Sequence, residues 1–195
     1  MNPPIYGIIL LGPPGVGKTS IISSLFNRQQ PLPIRPLFYQ KKLDIYGRKI
    51  IFHIYDTADN ETYDSITDTY LHNAAAAMIV YDLTIPDSFS QAQRWFDILS
   101  EKGYDYPTIL VGNKIDRDLP HYTLQAEDFA NDKDISFLQT SALTGEHISE
   151  AFIKLGEAIL ALPQAQSLPD ETSPNTSHEN VPIDQNEKKQ KSRCS

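Results

Sequence analysis

An α/β sandwich is the fold this sequence predicts, with a six-stranded, mostly parallel sheet, one antiparallel edge strand and helices on both faces. Three observations carry that expectation. Short β-branched runs are apolar on both faces, as strands buried between two layers must be. Segments with helical spacing separate most of them, the alternation of a parallel sheet with crossover helices. One pair of runs is divided only by Gly47-Arg48, too short for a crossover, so those two strands form an antiparallel hairpin.

In chain order, the first strand is "IYGIILLG" (5–12), and residues 18–27 follow with helical spacing. The runs "FYQKKLDIY" (38–46) and "KIIFHIYD" (49–56) make the hairpin. "AAAAMIVYD" (74–82) precedes a helical segment at 87–102, whose Trp95 and Phe96 are assigned to the core. "PTILVGNK" (107–114) precedes helix 123–131, and "ISFLQTS" (135–141) precedes helix 148–162. In such sheets ligands sit at the carboxyl ends of the strands, so chemistry is to be sought in the loops there.

The chain of 195 residues is 40% apolar and 22% charged, material for one sizeable core rather than two. Composition changes at Pro163: the rest is rich in Pro, Ser, Asn, Gln and charge and buries too little apolar surface to offset its ordering entropy. The expected organisation is therefore a domain over 1–162 and a disordered tail over 163–195. A net charge of −8 and a pI near 5.0 argue against nucleic acid or a general anionic surface as partner. A single cysteine, Cys194, excludes an internal disulfide framework and suits a reducing compartment. The start "MNPPIYGIILLG" has no basic n-region, and no apolar stretch approaches the roughly 20 residues that span a bilayer, so a soluble intracellular protein is expected.

"GPPGVGKTS" (12–20) follows the first strand and opens a helix, with Gly12, Gly17, Lys18 and Thr19 matching G-x-x-x-x-G-K-[ST]. Its glycines let backbone N–H groups curl around phosphate oxygens; Lys18 supplies positive charge to the outer phosphates and the Thr19 hydroxyl ligates magnesium. "NKID" (113–116) lies beyond the fifth strand. The Asp116 carboxylate can accept from the N1–H and 2-amino group of guanine, a donor pair that adenine lacks, while Asn113 and the stem of Lys114 brace the base. "TSALTGE" (140–146), after the sixth strand, can aim backbone N–H groups near Ala142 at the guanine O6.

With "GVGKTS", "DTA", "VYDLT", "VGNKID" and "TSALTGE" at matching spacing over about 1–162, the chain resembles the Ras superfamily of small GTPases, most closely its Rab branch. The resemblance implies a P-loop NTPase fold of the small G-domain type and a guanine-nucleotide switch, GTP against GDP with Mg2+. It implies exchange, activating and effector proteins, and work in membrane traffic or signalling on the cytosolic face of a membrane. The implied nucleotide-binding set is Gly12, Pro14, Gly15, Val16, Gly17, Lys18, Thr19, Ser20, Asn113, Lys114, Asp116, Ser141, Ala142 and Leu143; the metal set is Thr19 with Asp56. Phe38 and Tyr55 stand at two of three aromatic positions of a Rab effector surface, with Leu71 at the third; hairpin and core packing explains them equally well. His53 and His72 have no metal-like partners at fixed spacing and are given no chemistry.

Three departures from the family bear on hydrolysis, for which the catalytic candidates are Asn60, Lys18 and Asp59. Asp59 replaces a glycine whose N–H meets the γ-phosphate: turned inward, a carboxylate about 6 Å from a phosphate charge costs roughly 3 kcal/mol and disfavours GTP; turned outward, it changes little or caps the next helical turn. Asn60 replaces the glutamine that orients the attacking water and is one methylene shorter; a misplacement near 1 Å can cost on the order of 100-fold in rate. No serine or threonine lies between Ser24 and Thr57, so the switch threonine is missing, and Pro33 falls near its position beside Pro31 and Pro36. Arg28 or Arg35 reaching the γ-phosphate in cis is one compensation; a solvated arginine is the simpler reading. Pro14 stands where the family has a small residue facing the γ-phosphate.

Lys188, Lys189, Lys191 and Arg193 precede Cys194, which supplies the two signals of membrane attachment if that cysteine is lipidated, although its penultimate place is neither a C-a-a-X box nor a paired Rab ending. Two functions follow: a Rab-like GTPase with slow hydrolysis, or a nucleotide-bound interaction module that does not cycle; a third, an ATP-dependent P-loop enzyme, is disfavoured by Asp116.

Overall fold

The structure, a computed structural model, describes residues 2–27, 38–57, 65–118 and 122–163. Expectations placed on Arg28, Pro31, Pro33, Arg35, Pro36, Asp59, Asn60, the tail and Cys194 lie outside the described residues. The elements are β1 (Ile5–Leu11), α1 (Lys18–Leu25), β2 (Tyr39–Ile45), β3 (Arg48–Asp56), α2 (Ser65–Asn73), β4 (Ala76–Asp82), α3 (Pro86–Glu101), β5 (Thr108–Asn113), α4 (Leu124–Asp132), β6 (Ser136–Thr140) and α5 (Ile148–Ala161). The strands form one sheet in the order β2-β3-β1-β4-β5-β6. Only the β2–β3 pair is antiparallel, so the predicted fold class stands.

Alternation explains the layers. Along β1, Ile8 and Leu10 face the α1 and α5 side with Ile22 and Phe152, whereas Ile9 and Leu11 face the α2, α3 and α4 side with Leu71, Phe89 and Ala126. All four β1 residues are fully buried, because both faces of a parallel sheet are covered. Trp95 is core as expected, and Phe96 packs partly buried against the same cluster.

Two local expectations are corrected. The hairpin turn is Tyr46-Gly47, not Gly47-Arg48: Ile45 pairs with Arg48, and both turn residues have positive φ, 50° and 82°. That is the conformation of a two-residue type I′ turn, closed here by the Gly47 N–H donating to Asp44 Oδ1 at 2.8 Å. Helix α2 was not foreseen. Thr67 and Leu71, four apart, are fully buried, and a threonine in the apolar stripe hides the helical period.

Candidate functional site

The strand ends β1, β3, β4, β5 and β6 bring the three predicted loops to one edge of the sheet. The loop after β1 turns on three glycines with positive φ: Gly12 at 137°, Gly15 at 74° and Gly17 at 101°. Two of them also have no room for a side chain. A Cβ on Gly12 would lie 2.1 Å from the Val80 carbonyl oxygen, and one on Gly17 would lie 2.5 Å from Asn113 Nδ2. Gly15 has open space around it, so its glycine answers to backbone conformation alone. Buried Lys18 folds back so that its Nζ donates to the carbonyls of Gly12 (2.8 Å) and Pro13 (3.0 Å), which fixes the ammonium inside the loop.

Thr19 and Asp56, 37 residues apart, meet: the hydroxyl donates to Asp56 Oδ2 at 2.6 Å. A hydroxyl and a carboxylate oxygen at that separation are the hard donors that magnesium takes, and the glycine-shaped loop beside them fits phosphate, so the residues present fit both groups. The neighbouring Thr57, buried at the end of β3, donates to the Leu10 carbonyl at 2.6 Å and ties this loop to β1.

Asn113 joins the loops. Its Nδ2 donates to the Val16 carbonyl at 2.8 Å, and its Oδ1 accepts from Ala142 N–H at 3.0 Å and Thr140 Oγ1 at 3.3 Å. The Ala142 N–H expected to meet a base oxygen is thus engaged by Asn113. Ser141, fully buried, donates to Asp116 Oδ1 at 2.5 Å and accepts the N–H groups of Leu143 (3.1 Å) and Thr144 (3.0 Å). The Asp116 carboxylate is held by one oxygen, in an orientation set by the loop after β6.

Lys114 has φ 74°, a left-handed backbone that costs a non-glycine residue about 1 kcal/mol or more. Its Nζ donates to the Gly15 carbonyl at 2.7 Å and lies 2.6 Å from Asp82 Oδ2. Burial works to raise the Asp82 carboxyl, but hydrogen bonds from Lys114 and Thr84 outweigh it and hold its pKa below the ordinary carboxylate value. In the motif "VYDLT" neither Asp82 nor Thr84 carries an expected role; an acidic residue at the end of a central strand is the signal that could have found them. Gly15, Gly17, Ser20, Asn113, Asp116 and Leu143, with Lys114, Ala142 and Arg117, line a cleft of about 310 Å³. Ser20 is exposed at its edge, and Pro14 is exposed on the loop. A larger groove of about 720 Å³, lined by Phe137, Glu127 and His147 among others, lies beside β6 and includes none of the phosphate-loop residues.

A model of the Ras family matches residues 7–161, which takes in β2 to β6 and all of β1 but its first two residues. The chain belongs to the Ras family. Among its relatives, it is 34% identical over 175 residues to Ras-related protein Rab-10 of Caenorhabditis elegans, covering 86% of this chain and 85% of that one. It is 32% identical over 163 residues to Ras-related protein Rab-4B of Homo sapiens, covering 80% and 76%. It is 32% identical over 171 residues to Ras-related protein Rab5A of Oryza sativa subsp. japonica, covering 83% of each. This is a small GTPase near the Rab branch.

Of the two readings open for Leu71 in this GTPase, core packing holds: it is fully buried and is not the third member of an aromatic surface strip. Tyr70, one residue earlier, stacks on Tyr55 with ring centroids 4.9 Å apart, while Phe38 meets Tyr55 edge-on at 6.3 Å and stacks on His53 at 3.9 Å. Helical spacing turns adjacent residues about 100° apart, so a one-residue shift moves the side chain from core to strip. Among the described residues no helix is long and apolar enough to cross a membrane.

Proposed function

We propose that this small GTPase binds GDP and GTP with Mg2+ in the cleft at the strand ends and hydrolyses GTP slowly, as a Rab-like regulator of membrane traffic or signalling. The observation that carries this reading is Asn113, whose side chain ties the phosphate loop at Val16 to the base loop at Ala142 and makes two motifs one site. Gly15, Val16 and Gly17 present the loop to phosphates, with Lys18 fixed among them. Pro14, Ser20 and Leu143 border the nucleotide. Asp116, braced by Ser141, accepts from the guanine edge, which selects against adenine. Thr19 would ligate Mg2+ and Asp56 would support it through water, and the metal would neutralise charge on the phosphate oxygens. Asn60 orients a water loosely, and Asp59 opposes closure over a third phosphate when turned inward.

Effector, exchange and activating proteins are the proposed partners, with the partly buried Phe38 and Tyr70, packed against the buried Tyr55, as aromatic contacts. The basic run before Cys194, with lipid on that cysteine, would give reversible attachment to the cytosolic face of a membrane. A second reading, a nucleotide-bound interaction module that does not cycle, is favoured by one sequence observation: no serine or threonine stands between Ser24 and Thr57 to ligate the metal in a switch.

A single-turnover time course separates the two. The protein is loaded with GTP and magnesium, and bound GTP and GDP are quantified by chromatography, beside Asp59→Gly. Slow conversion, faster in the variant, is the expected outcome. GTP that fails to load while GDP binds, or that stays intact in both proteins, favours the non-cycling module.

A further inference from the structure

Asp82 is a carboxylate with only 1% of its side chain exposed at the end of β4, a place the motif readings leave without a role. A buried carboxylate is tolerated only when its oxygens are engaged. Here they are divided. Oδ1 accepts both the N–H (2.9 Å) and the hydroxyl (2.7 Å) of Thr84, which orients the group and leaves Oδ2 aimed at Lys114 Nζ, 2.6 Å away. The backbone beneath is pinned as well: the Asp82 N–H donates to Ser88 Oγ at 3.0 Å, and that hydroxyl lies 2.9 Å from the Asp82 carbonyl.

The far side of the ammonium meets the Gly15 carbonyl at 2.7 Å, so Lys114 spans from β4 to the phosphate loop and its stem lies along the cleft between them. A lysine stem is flexible, and two anchored contacts are what keep it in one place. A neutral acceptor could make the same bond, but a charge-assisted bond is roughly twice as strong. We infer that Asp82 is a positioning residue of the base subsite: it holds Lys114 against the phosphate loop and thereby slows nucleotide release. The inference rests on the proposed nucleotide binding and names one determinant of its lifetime.

The test follows release of a fluorescent GDP analogue from the full-length chain after a chase with excess GDP. The proteins are wild type, Asp82→Asn, Lys114→Met and the double variant. Asp82→Asn keeps the shape of the side chain and removes its charge. Release about tenfold faster or more is expected in the wild-type background, and no further acceleration in the Lys114→Met background. A general loosening of the fold would accelerate release in both backgrounds, and that result, or an unchanged rate in Asp82→Asn, overturns the inference. Should Asp82→Asn not fold, Thr84→Val carries the same comparison with an effect of a few-fold, and an unchanged rate overturns it equally. If wild type never retains the analogue, the binding proposal falls and the inference with it; retention by wild type with no response to Asp82→Asn sinks the inference alone.

Discussion

The Ser141 hydroxyl donates to Asp116 and accepts two backbone N–H groups of the following turn, so alanine at this position removes three hydrogen bonds from one loop. Ser141→Ala is expected to lower GDP affinity by about tenfold or more and stability by about 1–3 kcal/mol, since a bond to a charged group and buried donors are lost together. Titration with fluorescent GDP and a urea melt check the two effects; unchanged affinity with lower stability would mean that Asp116 is held by other groups. Ser141 and Asp116 were legible because their loop motifs sit at strand ends. Asp82 was not, because an acidic residue closing a strand has many ordinary uses and its partner stands in a separate motif 32 positions on, at Lys114. For Leu71 the sequence leaves surface strip and core equally open, because only a recognised helix says which way each of two adjacent residues faces; its burial decides for the core.

Between elements, β1 and the end of α2 approach closely at Gly7. A Cβ on Gly7 would lie 2.2 Å from the Asn73 carbonyl oxygen and 3.0 Å from Tyr55 Cε2, and the Gly7 carbonyl accepts the Ala75 N–H at 2.7 Å. The obstacle at 2.2 Å is backbone, which cannot rotate aside. Gly7→Ala is therefore expected to destabilise by about 1–3 kcal/mol and to displace the end of α2, which carries Tyr70 toward Tyr55. Equilibrium denaturation measures the first effect, and a tryptophan or NMR probe near Tyr70 the second; a stability within about 0.5 kcal/mol of wild type would show that α2 moves freely. The sheet itself was legible from alternation, but the tight fit against Gly7 was not, because a glycine within a strand run carries no sign of what approaches it.

Across the whole molecule, burial is the leading cause that raises the hydroxyl pKa of Tyr6, Tyr39, Tyr81 and Tyr106. These groups release protons first in the unfolded chain, near pH 10, so their contribution to stability is complete below that pH and falls as pH rises through and beyond it. At the acid end Asp82 acts in the opposite sense: its lowered pKa adds stability above about pH 4, which is lost as pH falls through its folded-state value. Urea melts from pH 3 to 11 are expected to give a plateau with both flanks falling, the alkaline flank starting near pH 10; constant stability to pH 11 would contradict the burial of these hydroxyls. By itself the sequence determined what depends on neighbours along the chain: strand and helix periodicity, the glycine turn after β1, and the residue types of the loops after β5 and β6. Tertiary structure alone decided which of those residues touch. Thr19 reaches Asp56 across 37 positions, Asn113 reaches Val16 across 97 and Lys114 reaches Gly15 across 99. Such contacts exist only once parallel strands lie side by side, because a crossover connection carries the chain through a helix before returning it to the same edge of the sheet.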